Sequence, residues 1–196
     1  MNKRLLLVFS IVFIGLFFIM LWLYGHLLFD RLLSYVPQGY MWIIESEVFS
    51  LLFLILTALY ITLLCYQIYQ KKLSKVFFYV SMTLYFPLLI FLLFFKSIGV
   101  QGYSFNPFGF IVDILDGQAF EVFANIIIFI PFGIILSLFK VSSKKATLFS
   151  VLFIVVVESS QYIFELGFFD VADIITNLLG ITIGYVSFKK IKFSRE

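Results

Sequence analysis

Acidic and amide side chains interrupt an otherwise apolar stretch near the C-terminal end of the chain. Glu158, Gln161, Asp170, Asp173 and Asn177 lie in or beside ESSQYIFELGFFDVADIITNLLGITIG, which spans residues 158–184. Carboxylic acids can transfer protons, and carboxylates and amides can bind a ligand through hydrogen bonds. An ionisable side chain inside an apolar membrane segment is costly, so it marks a candidate functional site. Glu158 is the best candidate for a catalytic acid or base.

The spacing of these residues predicts two helices joined by a short turn over residues 165–172. Residues three, four or seven positions apart share one face of a helix. In the first helix this face carries Glu158, Gln161 and Glu165. In the second helix it carries Asp173, Asn177, Gly180 and Gly184. The two polar stripes need neighbouring helices to hold them in place.

The composition indicates a membrane protein. Of the 196 residues, 63% are hydrophobic and only 13% are charged, with a mean hydropathy of +1.11. A soluble domain is roughly half apolar and about a quarter charged. Long unbroken apolar runs favour helices over a β-barrel, whose strands are short and alternate in polarity. We therefore predict an all-α, polytopic membrane protein with one domain over residues 1–196.

Apolar runs of about 20 residues, the length needed to cross a bilayer, predict a bundle of six transmembrane helices. The predicted spans cover residues 5–24, 48–69, 76–95, 122–139, 146–164 and 173–188. Between the third and fourth spans lies a polar stretch, and residues 111–120 in it could form a short interfacial helix.

The charges divide between the two sides of the predicted bundle. With six spans, one side receives all of the 14 Lys and Arg residues except Arg31 and Lys96. The positive-inside rule then places both termini in the cytoplasm. Glu158 falls roughly 9 Å below the outer surface, about six residues from the outer end of the fifth span. Asn125, in the fourth span, falls at a similar depth, so the polar residues should converge in the outer leaflet.

Each polar residue also has a purely structural explanation. Glu158 could be a neutral carboxylic acid that hydrogen-bonds a neighbouring helix. Asp170 and Asp173 could cap the sixth helix, since acidic residues stabilise helix N-termini. Asn125, Gln161 and Asn177 could hold helices together, and the Gly180-x-x-x-Gly184 pair could let another helix approach closely.

Several segments resemble the VanZ family. They are NIIIFIPFG at Asn125–Gly133, VESSQ at Val157–Gln161, DVADIITNLLG at Asp170–Gly180 and, more loosely, SFNPF at Ser104–Phe108. The resemblance covers about the second half of the chain. It implies a bacterial plasma-membrane protein. The family's namesake lowers susceptibility to teicoplanin and related lipoglycopeptides by reducing antibiotic binding at the cell surface, and the resemblance implies the same effect for this chain.

The resemblance also implies which residues form the binding site. The family's Glu-x-x-Gln pattern corresponds to Glu158 and Gln161, and its Asp-x-x-Asp-x-x-x-Asn pattern corresponds to Asp170, Asp173 and Asn177. With Asn125, these are the predicted binding residues. Many relatives have an Arg three residues before the first of these Asp residues. This chain has Gly167 there, so it lacks a fixed cation at that position.

Three classes of function fit these residues. The first is a binding or resistance protein whose outer pocket holds a lipoglycopeptide or a lipid-linked wall precursor. The second is an enzyme that modifies a lipid-linked envelope molecule with Glu158 as general acid or base, although no nucleophile is paired with a base. The third is a small transporter, which would need polar residues at inner depths too. Besides the bilayer and such a ligand, we expect no cofactor, metal or nucleic-acid partner; the oligomeric state stays open.

Overall fold

The computed structural model describes residues 3–95 and 98–194. The chain divides into two compact units, Met1–Lys72 and Leu73–Glu196. Lys96 and Arg195, which the charge pattern assigned to the outer and the inner side, lie outside the described residues. The assignment of the whole chain to a single domain stays a prediction.

Unit 1 contains two long helices and a short helical connection. Its elements are α1 (Lys3–Leu23), a π-helical turn (Tyr24–Leu28), α2 (Phe29–Tyr35), a 3-10 turn (Gln38–Tyr40), α3 (Met41–Glu45) and α4 (Glu47–Tyr69). The buried Tyr24 joins the connection to α4, since its hydroxyl lies 2.9 Å from the Ser50 hydroxyl. At the other end, the ring of Phe9 packs edge-on against the Tyr66 ring. Unit 1 is therefore a helical hairpin.

Unit 2 contains four long helices and carries all the predicted binding residues. Its helices are α5 (Lys75–Phe94), α6 (Gly109–Leu115), α7 (Ala119–Leu138), α8 (Ser143–Ile163) and α9 (Val171–Ser187). Its strands are β2 (Val100–Ser104), β3 (Leu166–Asp170) and β4 (Lys192–Phe193), and a two-residue β1 (Lys72–Leu73) lies at its start. We call the end of this unit that holds β2 and β3 the sheet end. The opposite end holds Lys140, Lys144, Lys145 and Lys189.

The helical, membrane character of the chain is confirmed. Among the residues that the structure describes, five helical segments are long and apolar enough to cross a membrane by length and composition: 3–35, 47–69, 75–94, 119–138 and 143–163. The apolar helix α9 has 17 residues, or roughly 26 Å at the helical rise, slightly less than the ~30 Å hydrocarbon core. The chain is thus a multi-pass membrane protein, while six spans and cytoplasmic termini stay predictions.

The sheet end differs from the sequence prediction. Residues 166–170, predicted as part of a turn, form β3, which pairs in parallel with β2 in the register Val100↔Leu166 to Ser104↔Asp170. Helix α8 already ends at Ile163, and Glu165 has a left-handed backbone (φ 56°). Glu165 therefore leaves the stripe that Glu158 and Gln161 share. The predicted helix over residues 111–120 is displaced as well, because α6 ends at Leu115 and α7 begins at Ala119.

Close packing of α7 against α9 fixes the frame of unit 2. A Cβ atom added to Gly180 would overlap the carbonyl group of Ile126, and one added to Gly184 would overlap that of Ile130. From the other side, a Cβ on Gly133 would overlap the Ile181 carbonyl. The prediction that Gly180 and Gly184 face another helix is therefore confirmed. Beside this contact lies a core of Tyr85, Leu89, Phe129, Ile154 and Ile181.

Thiol labelling in intact cells tests the predicted orientation. In a Cys65→Ser background, a cysteine replacing Asp116, an exposed residue at the sheet end, should react with a membrane-impermeant maleimide. A cysteine replacing Ser142, an exposed residue at the opposite end, should react only after permeabilisation. If the cysteine replacing Ser142 were labelled in intact cells, the orientation would be the opposite of the one that the charge pattern predicts.

Candidate ligand-binding cavity

A polar cavity of about 310 Å³ lies at the sheet end of unit 2. The helix ends of α7, α8 and α9 supply its walls, together with α6, β3 and the last turn of α5. All of the predicted binding residues line it: Asn125, Glu158, Gln161, Asp170, Asp173 and Asn177. The helical spacing that placed these residues on chosen faces therefore brings them together in space.

Glu158 is buried at the centre of the hydrogen bonds in the cavity wall. It lies near the C-terminal end of α8 and is only 2% exposed. Its Oε1 accepts a hydrogen bond from Asn177 Nδ2 at 3.2 Å, and its Oε2 accepts one from the backbone N–H of Asp170 at 3.4 Å. The carboxyl thus joins α8 to both β3 and α9. A buried acid of this kind can act as a hydrogen-bonding group, as a fixed charge, or as a proton donor.

The two aspartates combine a structural role with a place in the cavity. Asp170 is the N-cap of α9, and its Oδ1 accepts a hydrogen bond from the backbone N–H of Ala172 at 2.7 Å. Its predicted capping role is therefore confirmed. Asp173 lies in the first turn of α9, where its Oδ1 accepts a hydrogen bond from Asn125 Nδ2 of α7 at 2.7 Å. Both aspartates also line the cavity.

Gln161 connects the cavity to α5. Its Nε2 donates a hydrogen bond to the Leu93 carbonyl at 2.8 Å. Leu93 lies in the last turn of α5, where backbone carbonyls have no partner within the helix. Gln161 therefore satisfies a group that the helix cannot satisfy itself, as the structural interpretation of this residue predicted.

Replacing Gln161 tests this contact. Gln161→Leu keeps the size of the side chain but leaves the Leu93 carbonyl without its donor. We expect the free energy of unfolding to fall by about 0.5–1.5 kcal/mol, the usual worth of such a bond, measured by thermal unfolding in detergent. The exposed Gln70 provides a control. An equal effect of Gln70→Leu would show that the contact with Leu93 does not stabilise the fold.

Sequence reasoning missed three polar residues of the cavity. Asp113 of α6, Gln118 before α7 and Glu121 in the first turn of α7 also line it. The signal for Glu121 was present, because it precedes Asn125 by four positions and shares its helix face. Asp113 had no such signal, since its position depends on where α6 packs.

The cavity is rich in acid and poor in base. The carboxylic acids in its wall are Asp113, Glu121, Glu158, Asp170 and Asp173. Among the described lining residues there is no Lys, Arg or His, and Gly167 lines the wall close to Gln161. Over residues 3–95 and 98–194, no group of three or more His, Cys, Asp or Glu side chains is placed to hold a metal ion.

The wall of the cavity carries polar groups that can take part in hydrogen bonds. The described lining residues include no Ser, Thr, Cys or His, so the carboxylic acids are the groups in the wall that could act as a base or a nucleophile. They offer many hydrogen-bond acceptors and a few amide donors. Such a wall is chemically complementary to a polar group that donates hydrogen bonds or carries positive charge.

Comparison with known protein families assigns residues 49–192 to a family. The family model described as VanZ/LLP1 matches residues 49–192. Neither a curated protein nor a solved structure matches the chain. The matched range contains α5 to α9 and every predicted binding residue.

Proposed function

The chain belongs to the VanZ/LLP1 family, and we propose that it lowers susceptibility to teicoplanin-type lipoglycopeptides by reducing their binding at the cell surface. It would act from the bacterial plasma membrane, with the sheet end facing outward. The family match supports this role, because the namesake of the VanZ family has that effect. Convergence of the predicted residues on one cavity is the observation that carries the proposal.

The cavity suits a polar group of a lipid-linked wall precursor better than the apolar tail of an antibiotic. Its volume of about 310 Å³ is at the lower end of small-molecule sites. Its wall is formed largely by carboxyl and amide groups, which an acyl chain would leave without hydrogen-bond partners. Binding of a precursor would change what the antibiotic can reach, and no antibiotic would need to enter the cavity.

Deletion and overexpression in the native host test the proposal. Deletion should raise the surface binding of a fluorescent teicoplanin, and overexpression should lower it, with the chemical composition of the lipid-linked precursors unchanged. Unchanged antibiotic binding in both strains would refute the proposal.

A second candidate is an enzyme that modifies a lipid-linked envelope molecule. The burial of Glu158 beside two aspartates favours it, because such an environment suits a group that holds and releases a proton. Mass spectrometry of the precursors separates the two candidates. A precursor that changes in mass upon deletion supports the enzyme, and a constant set supports the binding protein.

A further inference from the structure

Asn177 has a buried acceptor without a donor. The residue is 2% exposed and lines the cavity, and its Nδ2 donates to Glu158 Oε1 at 3.2 Å. Its Oδ1 is buried and has no hydrogen-bond partner among the described residues. A buried acceptor without a donor is destabilising, and buried polar atoms in native proteins rarely stay unpaired. The missing partner should therefore be a donor that arrives with a ligand.

Three of the four side-chain amides among the described lining residues, those of Asn125, Gln161 and Asn177, already donate a hydrogen bond, and the fourth, Gln118, is exposed. Asn125 Nδ2 donates to Asp173, Gln161 Nε2 donates to the Leu93 carbonyl, and the backbone N–H of Asp170 donates to Glu158. The wall therefore presents oxygen atoms to whatever enters it. A ligand that supplied only acceptors, such as a phosphate, would meet carboxylates and be repelled.

We propose that the cavity binds the primary ammonium group of its ligand. Asn177 Oδ1 and the Glu158 carboxylate would accept N–H bonds from this ammonium group, and Asp170 and Asp173 would stabilise its charge. An ammonium group has three donors and no acceptor, which complements an acceptor-rich wall. The inference rests on the proposed function, since it specifies which part of the ligand the cavity recognises.

A divalent cation suits the wall less well than an ammonium group. Calcium takes six to eight oxygen ligands, and magnesium demands near-octahedral geometry. The described residues contain no group of three acidic side chains placed for this.

A primary ammonium group could come from two sources at a bacterial surface. It could be the side chain of a diamino acid in a wall-precursor peptide, or the amine of a lipid head group. The two differ in the atoms beside the amine, since the head group carries a phosphate nearby. The acidic wall favours the peptide source.

Thermal unfolding of the purified full-length chain in detergent tests the inference. At constant ionic strength, ethylammonium and Nα-acetyl-lysine amide should each raise Tm in a saturable manner, as a ligand that binds only the folded state does. We expect a shift of about 2–5 °C at saturation. Glycerophosphoethanolamine, which carries the phosphate, should give less than half of that shift. Tetramethylammonium, which has charge but no N–H donor, should act no differently from sodium.

Variants decide whether the cavity is the site. Asn177→Leu and Glu158→Gln should each reduce the Tm shift with Nα-acetyl-lysine amide at least threefold. Glu165→Gln, which makes the same change as Glu158→Gln at an exposed carboxylate outside the cavity, should retain the shift. If Asn177→Leu fails to fold, Glu158→Gln decides alone.

Several outcomes would overturn the inference. They are an equal shift with tetramethylammonium, a full shift in Glu158→Gln, and no saturable shift in the wild type. A saturable shift with magnesium or calcium that ammonium cannot compete away would assign a metal site instead. A larger shift with glycerophosphoethanolamine than with the lysine amide would reassign the source to a lipid head group. Because this assay uses no antibiotic, its failure leaves the susceptibility test of the proposed function intact.

Discussion

Glu158→Gln is expected to return a complemented deletion strain to the teicoplanin susceptibility of the deletion strain while the protein stays folded. Gln has nearly the shape of Glu and keeps one acceptor oxygen. Its amide group, however, would face either Asn177 Nδ2 or the Asp170 N–H, donor against donor. The expected cost in unfolding free energy is about 1–3 kcal/mol, because one buried donor loses its acceptor. The substitution removes the carboxyl group, which could carry a negative charge or transfer a proton.

Two controls distinguish the role of the acid from the role of the fold. Glu158→Asp keeps the carboxyl group on a shorter side chain and should retain part of the resistance. Glu165→Gln removes an exposed carboxylate that does not line the cavity, and should retain all of it. Susceptibility is read as the minimal inhibitory concentration, with membrane levels checked by immunoblot. Full resistance in Glu158→Gln would leave Glu158 a structural residue and move the candidate site to Asp170 or Asn177.

Gly184→Leu is expected to cause the largest loss of folded protein. A Cβ at this position overlaps the carbonyl group of Ile130, which belongs to the α7 backbone and cannot rotate away as a side chain could. The helices must therefore separate, and Gly180 and Gly133 would lose their close contacts as well. Overpacking usually costs about 1–3 kcal/mol, and contact with a backbone atom places this variant at the upper end. Monodisperse yield and Tm in detergent measure the effect.

Gly15→Leu is the control for this packing prediction. Gly15 lies in α1, in the first predicted span, and an added Cβ would meet nothing within 4 Å. Both variants replace Gly by Leu in an apolar helix, so their comparison separates the effect of packing from the effect of added hydrophobic surface. Equal yield and Tm for the two variants would show that α7 and α9 do not pack through Gly184.

The polar cavity was predictable because helical periodicity is local. Glu158 and Gln161 share one helix face, and so do Asp173 and Asn177, whatever else the chain does. Apolar neighbours forced these faces to turn toward other helices. The position of Gly184 on the face of Asn177 likewise predicted a close helix contact. The predicted count of six spans, by contrast, stays a prediction, because α9 has only 17 residues.

The sheet end was not predictable in the same way. β2 and β3 pair residues that lie far apart in the sequence, such as Val100 with Leu166. Each strand has only five residues, too few for its alternation to stand out against apolar sequence. The left-handed backbone of Glu165, which ends α8 early, is uncommon for a residue other than glycine. Tertiary pairing therefore decided the structure of this region.

The most direct test of the central claim is the amount of fluorescent teicoplanin bound per cell, measured by flow cytometry. The deletion strain would be complemented with the wild type, with Glu158→Gln or with Glu165→Gln at equal membrane levels. If the cavity is the functional site, wild type and Glu165→Gln should lower binding several-fold relative to the empty vector, and Glu158→Gln should leave it unchanged. Binding lowered equally by all three proteins would contradict the assignment of function to this cavity.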